Sequence, residues 1–251
     1  MSLNPKIVII GATSAIATAV ARIWVARSPV DLVLLGRDKQ RLDRVAADLR
    51  VRSPLSEIRV LVVPSTTPSL ITTTVDALAS EGVIDRVLIA QGSLLPSQDA
   101  CQDSLEACDA LLQVNGMTPV LYAEAFANHM AGWNHGHLGV IGSVAGDRGR
   151  ASNYVYGAAK GLLAHYVEGL QHRFAKTAVR VTLIKPGPTD TPMTAAFKAQ
   201  GRHLAPVEIV ARDIVDAMGA GHAVCYTPKR WRWIMMVVRA LPNTVFHQLQ
   251  I

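Results

Sequence analysis

The chain has 251 residues, 50% of them hydrophobic and 18% charged, so it is long enough and apolar enough to bury a substantial core. The formal net charge is +6 and the pI is near 9.5, which suits an anionic cofactor or substrate. No stretch reaches about 18 consecutive apolar residues and Met1–Lys6 has no signal-peptide pattern, which argues against a membrane-spanning or secreted protein and predicts a cytoplasmic one. The cysteines, Cys101, Cys108 and Cys225, lack metal-ligand spacing and are expected to be free thiols.

Short apolar runs without polar alternation occur along the whole chain and predict buried strands. They are Lys6–Ala12, Val30–Leu35, Ile58–Val63, Val83–Ala90, Gly136–Ile141 and Val179–Ile184, with Ala223–Tyr226 as a candidate last strand. Helical patterns lie between them at Ser14–Ala26, Asp38–Arg50, Leu70–Glu81, Leu105–Met130 and Asn153–Ala175. This alternation predicts one α/β domain over 1–251, a Rossmann-like, doubly wound parallel sheet of about seven strands.

The first predicted strand runs directly into a turn of small residues and then a helix, an arrangement that holds a dinucleotide pyrophosphate on backbone N–H groups. Only Gly11 is a glycine here, because Ala15 and Ala17 occupy positions where glycines are usual. An ordinary β–α turn is therefore an alternative. The residues expected to contact a cofactor in this turn are Gly11, Thr13, Ser14, Ala15 and Ile16.

The second predicted strand ends at Gly36, where NAD-selective sites usually carry a carboxylate for the ribose hydroxyls. Arg37 follows, and a guanidinium at this point suits the 2′-phosphate of NADP(H). The pattern favours NADP(H) over NAD(H). The alternative is a solvated arginine at the start of a helix.

Tyr156 and Lys160 lie four residues apart, which places them on one face of the fifth predicted helix. Ser143 precedes Tyr156 by thirteen residues and follows a predicted strand. A lysine beneath the tyrosine hydroxyl favours the phenolate, and a nearby serine can hold a substrate oxygen while the tyrosine transfers a proton. Taken alone, the Tyr–Lys spacing also fits a surface helix pair. With the other features it indicates carbonyl/alcohol redox chemistry.

With Gly11 in the turn, Ser143 after the fifth strand and Tyr156 with Lys160, the chain resembles the short-chain dehydrogenase/reductase family over nearly its full length. The resemblance implies a catalytic tetrad of Asn115, Ser143, Tyr156 and Lys160, in which Asn115 positions a water and Lys160 also holds the nicotinamide ribose.

The same resemblance implies further cofactor contacts after two strands. Ile89-Ala90-Gln91-Gly92 stands where the family usually has Asn-Asn-Ala-Gly, so Ala90 and Gly92 would line the cofactor. Pro186-Gly187-Pro-Thr-Asp-Thr191 matches the family motif after the sixth strand, and Pro186, Gly187, Thr189 and Thr191 would lie against the nicotinamide half. Residues 187–207 would form a substrate lid. Family members are commonly homodimers or homotetramers, and the same is expected here.

A narrower resemblance concerns the C-terminal segment 229–251 and the Asn153-Tyr-Val-Tyr-Gly157 stretch, which are similar to decaprenylphosphoryl-2-keto-ribose reductases. It implies a sugar or lipid-phosphate-linked keto-sugar as the carbonyl substrate. Tryptophans, arginines and aliphatic residues alternate in 229–251, which suits a helix at the inner face of a membrane. Packing on the core or burial in a subunit interface are the alternatives.

Two other functions remain open at this point. A dinucleotide-binding sensor or scaffold that has lost turnover would agree with Ala15 and Ala17, and a membrane-surface module would agree with the tail. No metal site and no nucleic-acid partner are predicted, because the histidines near Trp133 are typical of a solvated loop.

Overall fold

The computed structural model describes residues 4–249, which form a seven-stranded sheet with helices on both faces. The strands are β1 (Lys6–Ile10), β2 (Asp31–Gly36), β3 (Glu57–Val62), β4 (Arg86–Ile89), β5 (His137–Ile141), β6 (Arg180–Pro186) and β7 (Val224–Thr227). The helices are α1 (Ala15–Arg27), α2 (Lys39–Arg52), α3 (Pro68–Ser80), α4 (Gln98–Asp103), α5 (Leu105–Leu112), α6 (Thr118–Trp133), α7 (Tyr154–Arg173), α8 (Ala195–Ala199), α9 (Val207–Gly219), α10 (Arg230–Ala240) and α11 (Asn243–Phe246).

The strands pair in parallel in the order β3-β2-β1-β4-β5-β6-β7. Ile10 of β1 is in register with Leu35 of β2 on one side and with Ile89 of β4 on the other. The chain order therefore reverses beside β1, and ligands of such sheets bind at the carboxyl ends of the strands near this point. The predicted single-domain, doubly wound parallel sheet is confirmed.

The core consists of two apolar layers, one on each face of the sheet. On one face α1 and α9 pack together against β1, β2 and β6. On the other face α3, α6 and α7 pack against alternate residues of the same strands. Because the central strands are covered on both faces, most of the side chains of β1, β2, β4 and β5 are apolar and buried, which explains the hydrophobic runs in the sequence.

The structure differs from the predicted elements most clearly in two boundaries and one missed helix. The first strand ends at Ile10 rather than Ala12, because Gly11 adopts φ +73° and turns the chain. The predicted helix Leu105–Met130 is divided into α5 and α6 by a π-helical turn at Gln113–Met117. Helix α9 was not predicted, although its buried face, which includes Val210, Ala211, Ile214 and Val215, repeats at helical spacing. Within residues 4–249, no helix combines the length and apolarity needed to cross a bilayer.

Candidate active site

Ser143, Tyr156 and Lys160 meet where β5 ends and α7 begins. Ser143 caps a short 3₁₀ turn, with its Oγ accepting a hydrogen bond from the Ala145 N–H at 3.1 Å, and its hydroxyl lies close enough to the Tyr156 hydroxyl to act on the pKa of that phenol. One helical turn further along α7, Lys160 is 3% exposed and its Nζ lies 5.9 Å from the centre of the Tyr156 ring. Lys160 Nζ also donates to the Ile141 carbonyl at 3.1 Å, which fixes it under the end of β5.

Burial dominates the electrostatics of this cluster. It raises the pKa of Tyr156 above its usual value, while the Ser143 hydroxyl and the positive charge of Arg150 act in the opposite direction. Burial also lowers the pKa of Lys160 to about 8. At neutral pH Tyr156 is thus a protonated acid, the form that a proton donor needs. Sequence reasoning did not identify Arg150, because only the tertiary structure places it beside the tyrosine.

Asn115 is fully buried in the π-helical turn, and its side chain holds the loop after β4. Its amide Nδ2 donates to the carbonyls of Leu111 and Ser93 at 3.0 and 2.9 Å, and its Oδ1 accepts from the Ser93 N–H at 3.0 Å. A Cβ on Gly92 would lie 2.9 Å from Asn115 Oδ1 and 3.5 Å from Lys160 Nζ. Asn115 and Gly92 therefore belong to the same cluster as Lys160, and only a glycine fits between them. π-Helical turns are frequent at functional sites.

The turn after β1 fits a dinucleotide pyrophosphate. A Cβ on Gly11 would lie 2.7 Å from the backbone nitrogen of Gln91, so the turn runs directly against the β4 loop that carries Ala90 and Gly92. Helix α1 begins with Ala15, its N-cap Ser14 makes no side-chain capping bond, and its first turn has no acidic residue, so its leading N–H groups face outward for an anion.

The two alanines that replace glycines do not obstruct this turn. Ala15 occupies the first helical position, where an ordinary L-residue conformation is required. The methyl group of Ala17 points into the core and is fully buried. Both alanines therefore fit the turn without a steric conflict inside the protein.

Two arginines lie beside the same turn, one directly after β2 and one in the first turn of α2. Arg37 is exposed and makes no hydrogen bond or ion pair within residues 4–249, while Asp38 is used to cap α2 through the Arg41 N–H at 3.0 Å. The Arg41 guanidinium lies 3.5 Å from the Thr13 carbonyl oxygen, over the turn. Arg41 was not predicted from the sequence, and its position one turn into α2 is the feature that could have indicated it.

The segment after β6 forms a loop whose two ends are joined by one bridge. Thr189 forms a parallel bridge with Ala205, Asp190 N–H donates to the Ala205 carbonyl at 2.8 Å, and Ala205 N–H donates to the Pro188 carbonyl at 2.9 Å. Residues 190–204 thus project from a closed base, which suits a lid. Within it, Thr191 caps a 3₁₀ turn at Pro192–Thr194.

The base of this segment is tied down near the predicted cofactor contacts. Pro186 ends β6, and the Gly187 N–H donates to the Thr227 carbonyl at 2.9 Å. The buried Thr189 hydroxyl donates to the Gly187 carbonyl, also at 2.9 Å. The indole of Trp231 on α10 covers Gly187 so closely that a Cβ there would lie 1.9 Å from its Nε1.

Two residues just after Ser143 connect the site to the C-terminal segment. Asp147 accepts hydrogen bonds from Lys185 Nζ at 2.6 Å and from the Tyr226 hydroxyl at 2.7 Å, in a buried ion pair. Arg148 donates to the carbonyls of Val238 and Leu241 at the end of α10. Asp147 and Arg148 therefore bind different partners rather than each other.

The predicted catalytic and cofactor residues therefore lie along the carboxyl ends of β1, β2, β4, β5 and β6. A family model described as "short chain dehydrogenase" matches residues 5–201. The chain belongs to the short-chain dehydrogenase/reductase family. As a member of this family it is an NAD(P)-dependent oxidoreductase that acts on CH–OH and C=O groups.

Individual relatives agree with this assignment. An uncharacterized oxidoreductase of Staphylococcus aureus (strain USA300) is 30% identical over 222 residues, which cover 86% of this chain and 90% of the relative. A short-chain dehydrogenase from Sphingobium yanoikuyae, solved with NADPH, superposes with a TM-score of 0.77 at 23% identity and covers 95% of this chain and 97% of that one. A short-chain dehydrogenase from Burkholderia cenocepacia, solved with NADP, gives a TM-score of 0.78 at 17% identity over the whole of both chains. At these identities the two structures show a shared fold.

Proposed function

We propose that this oxidoreductase uses NADPH to reduce a ketone to a secondary alcohol, with Tyr156 as the proton donor. The observation that carries the proposal is the meeting of Ser143, Tyr156 and Lys160 beside the ends of β4 and β5. When bound, the nicotinamide supplies or accepts the hydride. The remaining steps belong to side chains of this chain.

The Ser143 hydroxyl holds the substrate oxygen, and Tyr156 donates its phenolic proton to that oxygen as the alcohol forms. Lys160, when protonated, stabilises the phenolate that is left and holds the nicotinamide ribose. Asn115 keeps the loop after β4 against Lys160 and positions a water that returns a proton to the site. In the direction of alcohol oxidation, the Tyr156 phenolate accepts the proton instead.

The cofactor is held along the strand ends. Backbone N–H groups of Thr13, Ala15 and Ile16 around the start of α1 would bind the pyrophosphate, Ala90 and Gly92 would line the cofactor beside β4, and the segment from Pro186 to Thr191 would cover the nicotinamide half. Arg37, exposed and unpaired at the tip of β2, would bind the 2′-phosphate of NADP(H). The NADPH and NADP present in two structures of the same fold support this preference.

Replacing Arg37 by alanine tests the cofactor preference. Because a charge-assisted contact to the 2′-phosphate is lost, we expect Kd for NADPH to rise roughly 10- to 100-fold while Kd for NADH changes little. Energy transfer from tryptophan to the bound nicotinamide measures both constants. Arg44→Ala, an exposed arginine further along α2, is the control and should affect neither cofactor. Equal weakening of NADPH and NADH by Arg37→Ala would show that Arg37 does not read the phosphate.

For the substrate we propose a ketone on a sugar or on a lipid-phosphate-linked keto-sugar. Its support is the similarity of the 229–251 segment and of Asn153–Gly157 to decaprenylphosphoryl-2-keto-ribose reductases. Homodimers or homotetramers, as in other family members, remain our expectation for the assembly.

We further propose that α10 docks the enzyme on the surface of an anionic bilayer. The inner face of this helix carries Trp231 and Met235, which contact the protein. Its outer face is also apolar: Trp233, Met236 and Val237 are 63%, 55% and 56% exposed, and Ala240 completes a stripe at helical spacing.

Arginines flank this stripe on both sides, which favours an anionic partner. Arg232 and Arg239 lie along one edge and, with Tyr226, line a groove of about 460 Å³, while Arg230 lies toward the other edge. Each basic residue near an anionic membrane contributes about 1 kcal/mol to binding. Two copies paired through this face would bring their arginines together, so the charges disfavour a second copy as the occupant.

Vesicle co-sedimentation of the full chain tests the docking proposal. We expect binding to phosphatidylglycerol-rich vesicles, weaker binding to phosphatidylcholine vesicles, and loss of binding in Trp233→Ser/Met236→Ser/Val237→Ser. The matched control, Val51→Ser/Leu55→Ser/Leu105→Ser, removes equally exposed apolar groups elsewhere and should bind as the wild type does. No sedimentation with anionic vesicles, or a dimer in solution that only the α10 triple variant dissociates, would contradict the proposal.

A further inference from the structure

Unpaired polar atoms collect at the start of α7, next to the proton donor. Five side-chain atoms in residues 4–249 are buried without a hydrogen-bond partner. Two of them, Asp31 Oδ1 and Arg59 Nε, belong to one ion pair at 3.8 Å. The other three are Gln98 Nε2, Arg150 Nε and Asn153 Oδ1. Buried polar groups in folded proteins are normally paired, so a second group of this kind calls for an explanation.

These three residues are neighbours in space. Gln98 accepts a hydrogen bond from the Val155 N–H at 3.0 Å, and Asn153 donates its backbone N–H to the Arg150 carbonyl at 3.1 Å. Asn153 is the residue that precedes α7, yet its side chain makes no capping bond. Tyr156 lies in the first turn of the same helix, directly after Val155, and the charge of Arg150 acts on it, so the three residues surround the start of the helix that carries the predicted proton donor.

Two positive charges near the start of α7, those of Arg150 and Arg202, have no negative partner among the described residues. Arg150 lies close enough to Arg202 of the 187–207 lid, and to Tyr156, for each of them to affect its electrostatics, and burial together with Arg202 lowers the pKa of Arg150. Neither guanidinium makes an ion pair within the part of the chain that the structure describes.

The nearby carboxylates are already engaged. Asp147 binds Lys185, and Asp190 binds Lys198 at 2.6 Å, so these two lysines are neutralised while Arg150 and Arg202 are not. Arg150 is half-buried, whereas Arg202 is exposed and packs over the Phe197 ring. A half-buried guanidinium without a counter-ion is costly, and an anion bound between the two arginines would relieve that cost.

We infer that Arg150 and Arg202 bind an oxyanion, a phosphate or carboxylate carried by the substrate, while Gln98 and Asn153 bind hydroxyl groups beside it. The inference rests on the reductase proposed above and adds the residues that would bind the charged group and the hydroxyl groups of its ketone substrate. Arg202 enters from the lid, so the substrate anion would also hold the lid over the ketone. Guanidinium groups are well suited to this task because their planar fork matches phosphate and carboxylate oxygens.

The test compares ketones that differ in charge. D-Ribulose, D-ribulose 5-phosphate and 5-keto-D-gluconate are titrated calorimetrically into the enzyme–NADP⁺ complex, and kcat and KM are then measured with NADPH. We expect at least one of the charged ketones to bind roughly 10-fold or more tighter than ribulose, and the comparison of the two identifies the preferred oxyanion.

Variants of the two arginines test whether they cause the tighter binding of a charged ketone relative to ribulose, the advantage of that ketone. Arg150→Gln and Arg202→Gln should each lower it roughly 10-fold, mainly through KM, and Arg150→Lys, which keeps the charge but lacks Nε, should fall between. Arg212→Gln on α9 is the matched control and should keep the wild-type advantage. Unchanged binding of NADP⁺ verifies that each variant is folded.

Several outcomes would overturn the inference: equal binding of charged and neutral ketones by the wild type, an advantage that survives in the Arg150→Gln/Arg202→Gln double variant, or weakened NADP⁺ binding in place of weakened ketone binding. Arginine-dependent binding of a charged ketone without turnover would instead contradict the reductase proposal and leave the anion site standing. Turnover of ribulose with no arginine-dependent advantage for the charged ketones would contradict the anion site and leave the reductase proposal standing.

Discussion

Replacing Tyr156 by phenylalanine is expected to lower kcat for ketone reduction by roughly 10²- to 10⁴-fold, the range that a positioned general acid contributes. The substitution removes the phenolic proton and keeps the ring, which packs against the apolar cluster of Cys101, Leu111 and Val155. Binding of NADPH should therefore persist. Single-turnover oxidation of bound NADPH, followed by the loss of its absorbance, separates the chemical step from cofactor binding.

The control is on the same helix. Tyr154→Phe removes a hydroxyl two residues earlier, from a side chain that is largely exposed, and should leave turnover unchanged. Turnover by Tyr156→Phe at the wild-type rate would eliminate Tyr156 as the proton donor. Loss of NADPH binding together with turnover would mean that the tyrosine acts through the cofactor site instead.

Replacing Asp147 by alanine is expected to destabilise the fold by about 3–5 kcal/mol, because it leaves the ammonium of Lys185 buried without its partner. The two side chains are only 2% and 7% exposed, and the Tyr226 hydroxyl loses its acceptor in the same substitution. Urea unfolding followed by circular dichroism gives the change in the free energy of unfolding.

A surface ion pair provides the comparison. Asp216 pairs with Arg27 at 2.7 Å, close to the 2.6 Å of the buried pair, but both side chains are more than half exposed. Asp216→Ala should therefore cost at most about 1 kcal/mol. Adding Lys185→Met to Asp147→Ala should recover part of the lost stability, because the unpaired buried charge is gone. A cost for Asp147→Ala as small as that for Asp216→Ala would show that the buried pair does not hold the Ser143 loop to β6.

The fold was predictable because its determinants are local. Strands covered on both faces need continuous apolar runs, and helices between them need apolar residues at helical spacing, so both periods are visible in the sequence. The spacing of Tyr156 and Lys160 likewise follows from one helix, and the structure brings Ser143 to the same place. The division of the long helix at Gln113–Met117 was not predictable in this way, because it accompanies the hydrogen bonds of the buried Asn115 to Ser93 and Leu111.

The sequence by itself determined the fold class, the family and the residues proposed for proton transfer, all of which depend on patterns within one or two neighbouring elements. Only the tertiary structure decided which charges meet: Asp147 with Lys185, and Arg150 with Arg202 of the proposed lid. It also decided which of the two apolar faces of α10 contacts the protein and which faces outward. The physical reason is that such pairings depend on the path of the chain between residues far apart in sequence, and residue spacing does not record that path.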